Sequence, residues 1–299
     1  MKVLVLGGTR FFGKLLVEKL IEEGDSVTIL TRGQTPDPFG NNVERIKCSR
    51  SDNEMMRRCL KGKKFDVVYD QICFSPDDAA VTCDIFNAIG AGKYIFVSSM
   101  YVYNGQADLL REEDFRPDKY GIKMGSRDVL SYEDGKRMAE TYFAKKADFS
   151  TISVRLPIVM GHTDYTGRFA HYVSRIEFDE NIYVSSPEGK MNYINADDAA
   201  QFLFWLKGAE VEGAINAANE ESFNTSELID KFSEVMGKKA RIVSDVCLSD
   251  ESFYPYHRKD NMVMDISKAR SLGYEFPSFD SWFSSEVNAV KKRLLVGKS

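Results

Sequence analysis

Short apolar runs alternate with helical patterns through the first half of the chain, a rhythm that builds a parallel sheet covered by helices on both faces. Residues 2–6 read as the first strand, Gly7-Gly8-Thr9-Arg10-Phe11-Phe12-Gly13 as a turn, and an amphipathic helix follows to Gly24. Further strands are predicted at 26–31, 43–48, 65–70, 94–99 and 151–156, the last stopped by Pro157. A helix starts near Asp52-Asn53-Glu54, and another spans 76–89 with Pro76 in its first turn and Gly90 at its end. Towards the C-terminus a helix over 226–236 is capped by Asn224, Thr225 or Ser226 and closed by Gly237. Over 281–295, Trp282, Val287, Val290 and Leu294 form an apolar stripe that reads as core. No internal repeat or low-complexity segment interrupts this order.

The strand, glycine turn and helix at the start form a dinucleotide-binding opening. Gly7 permits the tight turn, Gly13 lets helix and sheet pack closely, and the helix N-terminus directs backbone N–H groups at a pyrophosphate. Arg10 stands where a central glycine usually lets the backbone approach the phosphates. The second strand ends in Thr31-Arg32, where NAD-binding chains place an acidic residue on the adenosine ribose. A carboxylate repels the 2′-phosphate of NADP and a guanidinium attracts it, so this ending favours NADP, with NAD the alternative and Arg10 a second jaw of the clamp. Thr9, Phe11 and Phe12 complete the expected cofactor loop.

With 299 residues, 43% of them hydrophobic, the chain holds enough material for one large domain and a smaller lobe. No apolar stretch is long enough to span a bilayer, and Met1-Lys2 leads straight into the first strand, so the expected location is cytoplasmic. Five cysteines (Cys48, Cys59, Cys73, Cys83, Cys247) lack paired spacing and suit reduced thiols, and the three histidines form no metal-ligand pattern. A net charge of −5 provides no basic field, which makes nucleic acid an unlikely partner and a small molecule the expected one.

Two stretches carry chemistry. The strand through Phe96-Val97-Ser98-Ser99 delivers hydroxyls to the C-terminal sheet edge, where doubly wound folds bind ligands. In the segment from Tyr132 to Glu140, Tyr132 and Lys136 lie one helical turn apart on a shared face. A phenol titrates near ~10 and a neighbouring ammonium favours its ionised form, so Lys136 brings Tyr132 into range for acid or base work while Ser99 binds the substrate oxygen. The pair Tyr142 and Lys146 has the same spacing but lies about two to three turns further on, and is set aside. Gly135, inside the same helix, implies close approach by another group. Residues 104–130 lack periodicity, as lids and binding loops do. Arg168, Arg175 and His257 are candidates for gripping an anionic substrate, and Phe253-Tyr254-Pro255-Tyr256 either lines the cleft or packs the lobe.

These residues resemble the extended short-chain dehydrogenases/reductases, the NAD(P)-dependent epimerase/dehydratase family, over nearly the whole chain. The resemblance rests on the glycine loop, Tyr132-xxx-Lys136-xx-Ala139-Glu140, Arg155-Leu156-Pro157, Tyr193-Ile194-Asn195-Ala196-Asp197-Asp198, Gly213-Ala214-Ile215-Asn216 and 265–273 in this order. It implies an α/β fold, a Rossmann-like doubly wound parallel sheet with a smaller, interleaved C-terminal α+β substrate lobe. The cofactor domain would take 1–160 plus 193–219 and the lobe 161–192 plus 220–299. Counting back four from Tyr103 selects Ser99 over Ser98 to orient the substrate oxygen. Tyr132 would be the acid/base, and Lys136 would bind the nicotinamide ribose. The reaction implied is hydride transfer at a hydroxyl or carbonyl of a small polar metabolite, a nucleotide sugar among the options, with oxidoreductase and epimerase outcomes both open. Resembling enzymes are commonly homodimers through paired helices.

Three departures stand out. Met100-Tyr101 replaces the Asp-Glu of dehydratases, Ile158 replaces an asparagine common at sugar-nucleotide phosphates, and Arg10 is shared with plant plastid RNA-binding relatives. A catalytically drifted dinucleotide-binding or RNA-binding protein of the same fold is therefore the rival class.

Overall fold

The first strand is apolar on both faces because each face meets a different helical layer. In the computed structural model, which describes residues 1–103, 107–185, 188–244 and 255–296, Val3 and Val5 join one buried cluster and Leu4 and Leu6 the other. Cys247, Phe253, Tyr254 and the 104–106 part of the unpatterned segment lie outside the described residues. The strands are β1 (Lys2–Leu6), β2 (Ser26–Thr31), β3 (Val43–Lys47), β4 (Val67–Asp70), β5 (Lys93–Ser99), β6 (Thr151–Leu156), β7 (Ile158–Met160), β8 (Asn181–Val184), β9 (Met191–Asn195), β10 (Gly213–Asn216), β11 (Ser222–Phe223) and β12 (Arg241–Ser244). The helices are α1 (Phe11–Glu22), α2 (Asn53–Leu60), α3 (Pro76–Ile89), α4 (Tyr132–Lys146), α5 (Arg168–Glu177), α6 (Ala196–Leu206), α7 (Thr225–Met236), α8 (Ser267–Ser271) and α9 (Phe279–Val296).

Seven strands form one parallel sheet in the order β10-β6-β5-β4-β1-β2-β3. From β1 the chain winds outward through β2 and β3, then crosses back to lay β4 on the other side of β1. The ends of β1 and β4 are therefore the switch point at which such sheets open a ligand crevice. Helices α1 and α6 cover one face, while α2, α3 and α4 cover the other. Each fully buried valine or leucine in these layers contributes roughly 1.5–3 kcal/mol. Small sheets β11-β9-β7 and β12-β8 stand apart from the main one, and Cys48, Cys59, Cys73 and Cys83 are free thiols. Among the described residues no helix is long and apolar enough to cross a membrane.

Local chemistry sets the element ends. The Ser75 side chain accepts from Asp78 N, Pro76 opens α3 and Gly90 ends it. Ser131 accepts from Asp134 N to cap α4, with Glu133 and Asp134 in the first turn and Lys145 and Lys146 in the last. Asn224 and Glu227 form a reciprocal capping box on α7, so the helix begins at Thr225, and Gly237 closes it at φ 61°. A side chain at Gly135 would reach within 2.3 Å of the Phe74 carbonyl, so the close approach anticipated there is that of the β4–α3 loop backbone. The unpatterned segment is partly pinned: Leu110 N donates to Val263 O (2.7 Å), and Arg155 donates to Glu112 O and Phe115 O.

Candidate active site

Gly7 and Gly8 take φ values of 103° and 88°, which turn the chain sharply out of β1. At Gly13 a Cβ would fall 2.1 Å from the Gln71 amide oxygen, so α1 lies against the start of the loop after β4. No side chain caps the first N–H groups of α1 and no acidic residue occupies its first turn. The Gln71 Nε2 donor is buried in this cradle with no hydrogen-bond partner among the described residues. Free helix N–H groups, a glycine cradle and an unspent amide donor fit the pyrophosphate of a dinucleotide.

Arg10 keeps an ordinary extended conformation (φ −138°), whereas Phe11 beside it carries the loop's left-handed turn at φ 50°. Phe12 packs edge-on to Phe11 at 5.8 Å, and Thr9 is half-buried. Arg10 Nε donates to Thr35 Oγ1 (3.0 Å), and its guanidinium lies 5.2 Å from the Tyr165 ring. It therefore borders the loop that begins with Thr31 and the exposed Arg32, in which Thr31 Oγ1 accepts from Gly33 N. The one carboxylate between residues 31 and 42, Asp37, is held in a two-pronged pair by Arg45 (2.6 and 3.1 Å). Negative charge in this loop is already matched.

Ser99 ends β5, its Oγ accepting from Tyr101 N (3.3 Å), and its side chain lies near enough to the Tyr132 hydroxyl at the start of α4 to favour the phenolate. The Tyr132 ring is 45% exposed, but its hydroxyl end lies within the protein mass, and this burial raises the phenol pKa. The Ser99 hydroxyl and the Arg168 charge pull the other way. Lys136 is buried, donating through Nζ to Cys73 O and Val97 O, each at 2.8 Å, with its Nζ 5.9 Å from the Tyr132 ring centroid. An ammonium has three donors, so one remains to face the cleft. The positive charge acting on Tyr132 in this geometry is that of Arg168, while Lys136 is engaged with the carbonyls beneath.

Burial drives the Lys136 ammonium down from 10.5 to about 8. Between those values the unfolded chain still holds a proton that the folded protein has released, so stability rises as pH climbs through this window. The stability of the wild type relative to Lys136→Met should be flat below pH 8 and then rise with a slope approaching ~1.4 kcal/mol per pH unit. Urea titrations of both proteins across this range check it, and a flat difference would place the ammonium in solvent.

The carbonyl that grips Lys136 is itself held from below. Asp70, fully buried at the end of β4, takes Arg50 Nη1 (2.9 Å), Arg50 Nη2 (2.8 Å), the Tyr94 hydroxyl and Ile72 N. Asp78 accepts from Phe74 N (2.8 Å) and lies 3.4 Å from Arg50 Nε. This network fixes residues 71–75 between the glycine loop and α4.

Across the cleft, Arg168 opens α5 after Gly167, donating through Nε to Thr166 Oγ1 (2.9 Å), with its guanidinium 5.9 Å from the Tyr256 ring. His257 is half-buried, and burial lowers its pKa against the opposing charge of Glu188, whereas the next residue, Arg258, sits 4.0 Å over the Tyr101 ring and 3.7 Å from Glu133. Tyr101 meets Tyr132 edge-on at 6.0 Å. Arg258 and Tyr101 are thus at the site although sequence reasoning did not select them; the adjacency of Tyr101 to Ser99 was the available signal. Arg175 is taken up within its own lobe by Asn181 O (2.8 Å) and Glu180 (3.6 Å). Tyr142 faces Cys83 and Asp84 of α3, away from this cleft.

Residues 3–218 match the model of the NAD dependent epimerase/dehydratase family. The chain belongs to that family. A stretch of 116 residues is 33% identical to the chloroplast stem-loop binding protein of 41 kDa b of Arabidopsis thaliana, covering 34% of this chain and 30% of that protein. A stretch of 100 residues is 29% identical to the 2'-dehydrokanamycin reductase of Streptomyces kanamyceticus, covering 33% of this chain and 28% of the reductase. The matched stretches thus span less than a third of either relative. Among solved structures, the UDP-glucose 4-epimerase of Thermotoga maritima, solved with UDP-glucose, superposes over 98% of this chain and 100% of its own with a TM-score of 0.78 at 20% identity. That likeness is one of fold.

Proposed function

We propose that this family member is an NADP-dependent oxidoreductase acting on a hydroxyl or carbonyl of a small polar metabolite, with epimerisation the outcome if the hydride returns to the opposite face. The observation that carries this reading is the convergence of Ser99 at the end of β5, the Tyr132 hydroxyl and the buried Lys136, with the glycine cradle across the switch point. Gly7, Thr9, Phe11, Phe12 and Gly13 would hold the dinucleotide, and Arg10 and Arg32 its 2′-phosphate. The cofactor would be carried by 1–160 plus 193–219 and the substrate by 161–192 plus 220–299.

When bound, the nicotinamide supplies or accepts the hydride. Ser99 orients the substrate oxygen, and Tyr132 gives that oxygen a proton in reduction or removes it in oxidation. Lys136, held by Cys73 O and Val97 O, would bind the cofactor ribose through its remaining N–H, and the Arg168 charge favours the phenolate. A nucleotide-sugar substrate is one option within this class. Ile158 contributes no polar group to it, being buried in β7 opposite Tyr193.

Parallel fluorescence titrations with NADPH and NADH test the cofactor. NADPH should bind more tightly, and Arg32→Ala should weaken it by roughly 10–100-fold, the worth of charged hydrogen bonds of about 1.5–3 kcal/mol, while leaving NADH unchanged. Failure of both to bind would favour the second reading, a binding protein, which the match to a stem-loop binding protein supports. That reading requires tight RNA binding that weakens steeply with salt.

A further inference from the structure

Lys136 is only 2% exposed, although Tyr132, one turn before it on α4, is 45% exposed. Two of its three N–H groups are spent on Cys73 O and Val97 O, each at 2.8 Å. Around the third stand aromatic rings: the ammonium nitrogen lies 4.6 Å from the Phe74 centroid, 4.9 Å from that of Phe96 and 5.9 Å from that of Tyr132. Phe96 is fully buried in β5, whereas Phe74 is half-buried in the β4–α3 loop. The Phe74 ring is therefore a wall between the ammonium and solvent. An acceptor for the third N–H must come within about 3 Å of the nitrogen, inside the shell that this ring closes.

The Phe74 backbone is fixed. Its N–H donates to Asp78 (2.8 Å), and its carbonyl lies against Gly135, where a Cβ would come within 2.3 Å. Only the ring is left to turn, about its own side-chain bonds. From outside, the ring is held by the guanidinium of the exposed Arg127, 5.0 Å from its centroid. Two cations thus share one ring, each attracted by its π electrons. Arg127 belongs to the unpatterned 104–130 segment, which is tied down next to it by Gly125 N donating to Asp77 Oδ1 (3.1 Å). Among the described residues Arg127 makes no ion pair, and the Phe74 ring is what positions its charge.

We propose that Phe74 is a positioning residue for Lys136: its ring, held by Arg127, closes the ammonium off in the free protein and swings aside when a dinucleotide ribose takes the third N–H. This rests on the oxidoreductase reading, in which Lys136 holds that ribose. Cofactor affinity is then reduced by the displacement of the ring, because only the open fraction of the protein binds.

Labelling by acetic anhydride, read residue by residue by mass spectrometry, and fluorescence titration with NADPH test the proposal on the wild type, Arg127→Ala and Phe74→Ala. Burial holds the Lys136 ammonium at about 8, below the 10.5 of an ordinary lysine. An accessible amine of that kind would react faster than the exposed Lys61 and Lys64, so slow labelling reports the cover. Wild-type Lys136 should label many-fold more slowly than those two references, and both variants should speed it. NADPH should bind about twofold to fivefold more tightly to Arg127→Ala, the worth of an exposed cation–ring contact, and more tightly still to Phe74→Ala. Because Arg127 is exposed, its variant decides the matter even if Phe74→Ala fails to fold. The proposal is overturned if wild-type Lys136 labels as fast as the references, if neither variant speeds it, or if both variants bind NADPH no more tightly than the wild type; weaker binding would make the ring a platform for the cofactor. If no protein in the set binds NADPH or NADH, the oxidoreductase reading falls and the proposal with it. If NADPH binds the wild type and the variants change neither readout, the positioning role alone is refuted.

Discussion

Tyr132→Phe should lower kcat by roughly 10²–10⁴-fold, the usual worth of a positioned acid or base, while NADPH affinity stays within about twofold. The substitution removes one oxygen and keeps the ring, whose neighbours Phe74 at 6.3 Å and Tyr101 at 6.0 Å are unchanged. Ser99 still accepts from Tyr101 N, and Lys136 still has its two carbonyls. Steady-state turnover and cofactor fluorescence on the same sample separate chemistry from binding. A kcat equal to the wild type would remove Tyr132 from the mechanism.

The pH profile of the wild type belongs to the same result. Burial raises the phenol pKa, so the hydroxyl is protonated throughout the neutral range. Reduction uses the protonated form, and its rate should stay level through neutral pH and decline only in alkali. Oxidation uses the phenolate, and its rate should climb with pH over that range. The two limbs should vanish together in Tyr132→Phe, which a packing role for the ring would not produce.

The elements were legible where local chemistry decides them. Pro76 and Gly90 bracket α3, Asn224 and Gly237 bracket α7, and the limits of β1, β2 and β6 follow from short runs rich in valine, isoleucine, leucine and threonine. Strand order was not read, since apolar strands buried on both faces carry no mark of their neighbours. The charged interior was not legible. Nothing near Arg50 indicates that it lies buried on Asp70, because the partners are twenty residues apart and neither sits in a periodic pattern. Lys136 was picked for its spacing to Tyr132, yet its acceptors are the backbone carbonyls of Cys73 and Val97, which any sequence supplies. Arg258 escaped because loop residues have no period, so only the folded chain brings it over Tyr101. Arg175 drew attention as a cation, but it donates to Asn181 O (2.8 Å) and pairs with Glu180 within its own lobe.

Glu140→Gln should cost roughly 3–5 kcal/mol of folding free energy, the penalty for stranding a buried charge. Glu140 and Arg155 both have fully buried side chains and meet at 2.8 and 3.2 Å, and the Ser98 hydroxyl also donates to Glu140. Arg155 in turn donates to the Tyr103 hydroxyl (2.9 Å), which donates to Asn216 Oδ1 (2.6 Å), so one charge pair ties α4 to β5, β6 and β10. Burial opposes the Arg155 charge, and the Glu140 carboxylate is the largest influence restoring it. An amide keeps the shape and some hydrogen bonding but leaves the guanidinium without its counter-charge. Adding Arg155→Met to Glu140→Gln removes the stranded charge, so the double variant should be at least about 1 kcal/mol more stable than the sum of the single losses predicts. Urea unfolding of the four proteins measures this coupling. Because α4 also presents Tyr132 and Lys136, a single-variant loss below about 1 kcal/mol would mean that water reaches the pair and that α4 is anchored by its apolar face alone.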